Sequence, residues 1–216
     1  MAVNDRRIVE DCIEKGNISK LLHLPEVLDD FSEASIVKSI EYFLKLDADK
    51  LTLATEDLPQ TDVIKGVPWV QEGVESPFSD RKCYVLNVML CQRFSPQFLQ
   101  EEARLMSFDC VLSLTKYLHF LLSWTPTVPD PDRCVPSLEQ IVDWLNALLD
   151  GHFQQLKLAE DASSIIESLQ KQVDLMTKGQ MEFKTLQGTL CELNRQFEKQ
   201  QRNTKVGDYC IEVIVF

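Results

Sequence analysis

The feature that most constrains the fold is a run of about forty residues near the C-terminus that contains no proline. It extends from Ala162 to about Asn203 and is rich in strong helix formers. Its apolar residues recur in steps of three and four, which is the spacing of one face of an α-helix. They are Ile165, Ile166, Leu169, Val173, Met176, Phe183, Leu186, Leu190, Leu193 and Phe197. The pattern predicts one long amphipathic segment.

The C-terminal half of this segment carries a heptad seam, which is typical of helices that pack against other helices. The register of the seam shifts between Met176 and Phe183, beside Gly179, so we expect a kink there or two helices placed end to end. Such a helix usually packs within its own domain, and its other use is to pair with the helices of a partner. In the second case the candidate contact residues are Leu186, Leu190, Leu193 and Phe197.

The rest of the chain also favours helices. The predicted fold is all-α, an antiparallel bundle or helical-repeat-like domain with a long C-terminal helix and a short C-terminal β-strand. Four segments are expected along it. They are an N-terminal helical segment (1–46), an acidic linker that contains prolines (47–79), a C-terminal helical domain (80–206) and a strand-like tail (207–216).

Helix starts are marked most clearly in the second half of the chain. Ser95 and Pro96 stand in the order expected for an N-cap and the first helical residue, and Ser107 is a second N-cap candidate. Ser137 and Gln140 have the spacing of a capping box. The inward residues of the helix that follows are predicted to be Ile141, Val142, Trp144, Leu145 and Leu148.

The closing sequence "GDYCIEVIVF" is apolar and strand-forming, and three uses of it are open. It could fold back across the helices of its own chain. It could add an edge strand to the sheet of another protein, or its terminal carboxylate could dock in a PDZ-like domain through Ile214 and Phe216. The candidate partner-contact residues in the tail are Tyr209, Ile211, Val213, Val215 and Phe216.

Composition argues against several function classes. The formal net charge is −12 and no cluster of Lys and Arg appears, so direct nucleic-acid binding is not expected. The three histidines are scattered, and no phosphate-binding or nucleophile motif occurs, so we predict no metal, no cofactor and no enzymatic activity. Seven cysteines without a CxxC pair favour a reducing compartment. Cys134 has no nearby His or basic cluster in the sequence that would lower its pKa.

Three segments taken in order resemble the C-terminal region of the nucleolar protein eleven family. They are "PSLEQIVDWLNALLDGHF", "LCELNRQFEKQQRN" and the closing "GDYCIEVIVF", and "LTKYLHFLLSW" is similar to a further family segment. The matching positions are Pro136, Ser137, Leu138, Gln140, Ile141, Asp143, Trp144, Leu148, Leu149, Asp150, Phe153, Tyr209, Ile211, Glu212, Val213 and Phe216.

The resemblance implies a non-enzymatic structural component of the small-subunit processome. In that family the protein belongs to the t-UTP subcomplex, which couples ribosomal DNA transcription to early processing of pre-18S RNA in the nucleolus. Family members carry an N-terminal β-propeller, and their helical domains assemble with those of other propeller proteins. No propeller precedes Met1 here, so we expect a fragment or a short isoform that keeps the assembly role.

The partners implied by the resemblance are other t-UTP subunits, contacted through the helical domain and the tail, with no membrane involved. An alternative is a general helical adaptor, unrelated to ribosome biogenesis, whose C-terminal peptide is bound by a PDZ-like partner.

Overall fold

The computed structural model describes residues 5–28, 30–55, 76–124 and 134–205. Across those ranges the structure consists of ten α-helices and contains no strand, which confirms the predicted all-α class. The predicted strand-like tail, 207–216, lies outside the described residues. The helices are α1 (Asp5–Glu14), α2 (Ile18–Val27), α3 (Glu33–Lys45), α4 (Ala48–Ala54), α5 (Asp80–Leu90), α6 (Pro96–Ala103), α7 (Phe108–Trp124), α8 (Leu138–Gly151), α9 (Phe153–Leu158) and α10 (Glu160–Lys205).

The chain divides into two compact units. The first ends at Glu167, and the second begins at Ser168 and consists, as far as it is described, of the remainder of α10. In the first unit α3 packs against α1, α5, α6 and α7, and α8 packs against α6, α7 and α9. Helices from both sides of the predicted 47–79 linker are therefore neighbours in one core. That linker also begins with a helix, α4, which the sequence did not predict.

The structure confirms the helix starts predicted at Ser95 and at Ser137. Ser95 precedes α6, which has Pro96 at its start. The capping box of α8 is complete, because the Gln140 amide N–H donates to Ser137 Oγ at 3.2 Å and the Ser137 N–H donates to Gln140 Oε1 at 3.0 Å. The side chains of Ile141, Trp144, Leu145 and Leu148 are buried as predicted. Val142 is exposed, because it lies on the solvent side of α8.

The first two helices meet at a tight corner. Gly16 adopts a left-handed backbone conformation, with φ of 64°, and its N–H donates to the carbonyl of Ile13 at 3.1 Å. Asn17 then caps α2 by accepting a hydrogen bond from the Lys20 N–H at 3.1 Å. Only glycine adopts such a φ without strain, so glycine suits the corner that follows α1. The second helix includes Pro25 in its last turn, where the proline has no N–H to donate to the carbonyl of Leu21.

The first helix supplies the cap of α3. Ser32 is the N-cap residue of α3, and both its N–H and its hydroxyl donate to Asp5 Oδ2, at 2.9 and 2.6 Å. The Ser35 hydroxyl donates to the same carboxylate oxygen at 2.8 Å. A negative charge at a helix N-terminus is stabilising because the exposed N–H groups there are electron-poor. Asp5 thus ties the start of the chain to its central helix.

The third helix in turn caps two later helices. Glu33 Oε1 accepts a hydrogen bond of 2.7 Å from the N–H of Ser95, at the start of α6. Glu41 Oε1 accepts from the N–H and the hydroxyl of Ser107, at 3.2 and 2.8 Å, at the start of α7. Three helix N-termini in this unit are therefore served by carboxylates from other helices.

Positively charged side chains from α5 donate hydrogen bonds to the C-terminal ends of two other helices. Lys82 Nζ, on α5, donates to the carbonyls of Leu44 and Leu46 at 2.8 and 3.2 Å, at the end of α3. Arg81 Nη1 donates to the carbonyl and hydroxyl of Thr55 at 2.6 and 2.8 Å, just after α4. The last carbonyls of a helix lack internal partners, so a positive side chain there is favourable. Burial lowers the pKa of Lys82.

Acid is expected to weaken this capping network. Burial raises the pKa of Asp5 and of Glu41, but the hydrogen bonds from Ser32 to Asp5, and from Lys45 and Ser107 to Glu41, outweigh it and leave both pKa values below the ordinary 3.8 and 4.5. The stabilisation is therefore present above those ordinary values and is lost as pH falls through them toward the lower folded-state values. Urea unfolding followed between about pH 5 and about pH 3 measures the decline.

The double variant Asp5→Asn, Glu41→Gln is the control for this prediction. At neutral pH each substitution is expected to cost about 0.5–2 kcal/mol, the range for a lost N-cap. The unfolding midpoint of the double variant should fall less steeply with acid than that of the unaltered chain, because two of the titrating groups are gone. Equal slopes would contradict the role assigned to these carboxylates.

Within the described residues, none of the helices combines the length and hydropathy that a membrane-spanning segment needs.

Candidate protein interface

The long C-terminal helix is continuous over 46 residues, from Glu160 to Lys205. Acidic residues in its first turn, Glu160 and Asp161, are favourable beside the helix N-terminus. The helix runs through Gly179 without a break, so the prediction of two helices end to end is wrong. One interior glycine costs only about 1 kcal/mol relative to alanine, and the strong helix formers around it carry the helix across.

The four residues predicted to contact a partner lie on one face of this helix. Leu186, Leu190, Leu193 and Phe197 are separated by four, three and four residues, which places their side chains in a single row. Their side chains are 54%, 52%, 43% and 61% exposed. The row, which we name the seam, is therefore apolar and accessible along the described helix. Whether a partner covers it stays a prediction.

The exposed apolar row extends beyond the predicted residues toward the N-terminus. Phe183 continues the seam one step earlier, and Val173 and Met176 continue it further with exposed side chains. Gly179 lies between these two groups, and the row passes from Val173 to Met176 to Gly179 in two successive steps of three. Met176 and Phe183 are nevertheless seven residues apart, with Gly179 at the d position between them, so the heptad register continues through Gly179 and the predicted shift of register is absent.

Charge is kept away from the seam. With Phe183 and Leu186 taken as heptad positions a and d, the flanking e and g positions up to Phe197 are neutral: Gln187, Thr189, Asn194 and Gln196. The charged residues over the same stretch stand at b, c and f, on the far side: Lys184, Glu192 and Arg195. Flanking charges usually set partner choice in coiled coils. In this helix, partner choice would depend on apolar contact and on the side-chain amides that flank the seam.

The predicted contact residues of the tail cannot be placed in the same way. Tyr209, Ile211, Val213, Val215 and Phe216 all lie outside the described residues. Edge-strand addition, docking to a PDZ-like domain and folding back across the chain therefore stay predictions.

A buried polar cluster in the first unit is the arrangement that most resembles catalytic chemistry. The Tyr117 hydroxyl donates to Asn87 Oδ1 at 2.7 Å and lies 3.4 Å from the carbonyl oxygen of Cys83. Burial raises the pKa of both Tyr117 and Cys83, so both stay protonated at neutral pH. All three residues are fully buried, so substrate cannot reach them. The cluster is explained by packing.

Across the part of the chain that the structure describes, no group of three or more His, Cys, Asp and Glu side chains could hold a metal ion. His152 is buried, and its ring nitrogens contact the Ala103 carbonyl at 2.9 Å and Gln155 Oε1 at 2.8 Å. Its hydrogen bonds join α6 to the junction between α8 and α9.

Comparison with known proteins agrees with the family resemblance. Residues 6–216 match the family model described as the Nucleolar protein 11 C-terminal domain. Nucleolar protein 11 of Xenopus laevis is 28% identical over 145 residues, which are 66% of this chain and 20% of that protein. Nucleolar protein 11-like of Danio rerio is 30% identical over 189 residues, which are 79% of this chain and 26% of that protein. The chain thus spans about a fifth to a quarter of the length of the curated relatives it matches.

Proposed function

This chain belongs to the Nucleolar protein 11 family, because residues 6–216 match the C-terminal domain of that family. From that premise we propose that the chain is a non-enzymatic assembly component of the nucleolus in ribosome biogenesis. More specifically, it acts in the small-subunit processome, where the t-UTP subunits support pre-rRNA transcription and early 18S rRNA processing. Neither the family description nor the names of the relatives carries an enzymatic activity.

The observation that carries this proposal is the exposed seam on α10. A solvent-exposed row of Leu and Phe side chains costs free energy in water, and covering it with a second apolar helical surface recovers that free energy. Each large apolar side chain that becomes fully covered contributes about 1.5–3 kcal/mol. Leu186, Leu190, Leu193 and Phe197 are already about half covered, so each would contribute part of that free energy, against the entropy that is lost on association.

The kind of contact is protein with protein. The formal net charge of −12 opposes attraction to the phosphate backbone of RNA. Because the residues that flank the seam are neutral, the seam lacks the flanking ion pairs that make the pairing of helices in coiled coils depend on salt. Partners of the seam are accordingly helical surfaces with an apolar row and uncharged flanks, supplied by other processome subunits.

Affinity capture from nucleolar extract tests the proposal. The immobilised chain is expected to retain small-subunit processome proteins, to retain them after ribonuclease treatment, and to retain most of them when salt is raised to about 0.5 M, where charge interactions beyond about 4 Å are screened. Ribonuclease treatment separates direct protein contact from bridging by RNA. Release of every processome protein by ribonuclease would contradict a protein–protein role for this domain.

A matched control uses the same chain with its helix shortened. A chain that ends after Gly179 lacks the seam and the tail but keeps the first unit, which is complete by Glu167. It should lose the processome proteins. If it retained them undiminished, the binding surface would lie in the first unit, and the seam would not carry the function.

A further inference from the structure

The exposed apolar row of α10 has an order of residues that a second copy of the same helix can match. Phe183 and Phe197 are its largest members, and both side chains are exposed. Both stand at heptad position a, and Gly179 stands at the d position that precedes Phe183. The space beside the Cα atom of Gly179 is open. The row therefore carries two bulky side chains and, at one end, a position with none.

An antiparallel pair of these helices sets large residues against smaller ones. Reversing one of two identical helices exchanges the order of positions a and d, so each a residue faces a d residue of the other copy. With the twofold axis at residue 188, the facing residues are Phe197 with Gly179, Phe183 with Leu193, and Leu186 with Leu190. The axis makes each contact occur twice, because the same surface is used by both copies.

Other arrangements of the two helices pack less evenly. In a parallel pair each phenylalanine would face its own copy and Gly179 would face glycine, so some layers would be crowded and one would hold a cavity. Shifting the antiparallel pair by one heptad would set a phenylalanine against a glutamine, Gln172 or Gln200. The apolar residues therefore favour the antiparallel register centred on residue 188.

Charge does not oppose this pairing. From 179 to 197 the helix carries two basic and two acidic side chains, Lys184, Arg195, Glu182 and Glu192, so the net charge of this stretch is zero. The formal net charge of −12 of the whole chain is therefore located elsewhere. Two copies of this stretch can approach each other without the repulsion that two acidic helices would have.

The flanking residues also fit the antiparallel register. In such a pair the e positions of the two helices face each other, and so do the g positions. Gln187 then faces its own copy, Gln180 faces Asn194, and Glu182 faces Gln196. Side-chain amides both donate and accept hydrogen bonds, so each of these pairs can form one. No like charges face each other at the flanks.

We propose that the seam of one chain pairs with the seam of a second copy, as an antiparallel two-helix coiled coil centred on residue 188. This pairing holds whichever nucleolar protein the seam binds. One row of side chains cannot contact two surfaces at once, so self-pairing and partner binding exclude each other, a consequence that rests on the proposed function. A partner of the seam would therefore have to separate the pair.

Sedimentation equilibrium of the full chain measures the pairing. The chain carries Cys210→Ser, and Cys191→Ser unless stated otherwise, so that no disulfide from these positions joins two molecules. We expect a dimer at about 50 μM, and a dissociation constant that rises at least about 100-fold in Leu186→Asp, Leu193→Asp. The matched control, Thr185→Asp with Cys191→Asp, places its charges on the far side of α10 and should change the constant by less than about threefold.

Cross-linking with a short bis-maleimide tests the direction and the register. Gln187, Gln180 and Asn194 are exposed on α10, so cysteine at these positions leaves the seam intact. Gln187→Cys should link to its own copy at least about 10-fold more than Gln180→Cys does, because the two copies of residue 180 are about 24 Å apart along the pair. A mixture of Gln180→Cys and Asn194→Cys should link as well as Gln187→Cys. Peptide mapping identifies the linked positions.

Two outcomes would overturn the proposal. One is a chain that stays monomeric at the same concentration, and the other is equal self-linking of Gln180→Cys and Gln187→Cys. A monomer that still captures processome proteins would refute self-pairing and leave the proposed function standing. A chain that pairs but captures none of them would support self-pairing and refute the proposed function.

Discussion

Trp144→Ala is expected to lower the free energy of unfolding of the first unit by about 3–5 kcal/mol. The indole is fully buried on α8, and its ring meets Phe94 edge-on at a centroid distance of 5.8 Å. Alanine leaves a cavity that the surrounding helices refill only in part, because they are also tied together by their caps. Urea unfolding measures the effect as a shift in midpoint at unchanged slope.

Trp144→Phe is the control that separates packing from polar contributions. Among the described residues the indole N–H of Trp144 has no hydrogen-bond partner, so its removal costs no hydrogen bond. The phenylalanine variant keeps most of the apolar volume and should lose about 1–2 kcal/mol. A loss below about 1 kcal/mol in the alanine variant would contradict the central place given to this side chain.

The double variant Leu186→Asp, Leu193→Asp is expected to weaken binding to the captured processome partner by at least about 100-fold, or about 3 kcal/mol. Covering the seam would now require two carboxylates to leave water without a partner of opposite charge. The same variant should leave unfolding of the first unit unchanged, because both leucines are exposed and belong to the second unit. Titration of the purified partner measures the affinity, and circular dichroism measures helix content.

A second double variant places the same charges on the far side of α10 from the seam. Thr185→Asp with Cys191→Asp alters positions c and b of the heptad pattern, and both side chains are exposed on the described helix. Binding should fall by less than about threefold, since surface substitutions away from a contact are usually within about 0.5 kcal/mol. Equal losses in the two variants would mean that added charge, and not the seam, governs binding.

The features that the sequence predicted well are those decided within one turn of helix. The capping box of Ser137 and Gln140 depends on side chains three residues apart, so its signal survives in the sequence alone. The long helix was predicted for the same reason, since many consecutive residues favour it. The prediction of two separate helices that meet beside Gly179 was wrong because one weak position was given more weight than its neighbours.

The features that the sequence could not predict depend on distant residues meeting. Asp5 is an ordinary first-turn acid until α3 is placed against α1, and only then does it become the cap of Ser32. Gln140 donates to the carbonyls of Cys91 and Gln92 only because the start of α8 lies beside the end of α5. The seam was visible as a periodic pattern, but a pattern cannot say whether its own domain covers it. That distinction required the exposure of each side chain.

The capping contacts made at and by α3 also set the order in which the first unit can fold during synthesis. Asp5 and Ser32 emerge from the ribosome close together, so the start of α3 can be secured early. Glu33 and Glu41 then wait for Ser95 and Ser107, which follow 62 and 66 residues later. Until Ser95 and Ser107 have been made, Glu33 and Glu41 lack the N–H groups that they cap in the folded domain. The domain is therefore expected to become protease-resistant in one late step, and a nascent chain halted before Ser107 should remain cleavable throughout.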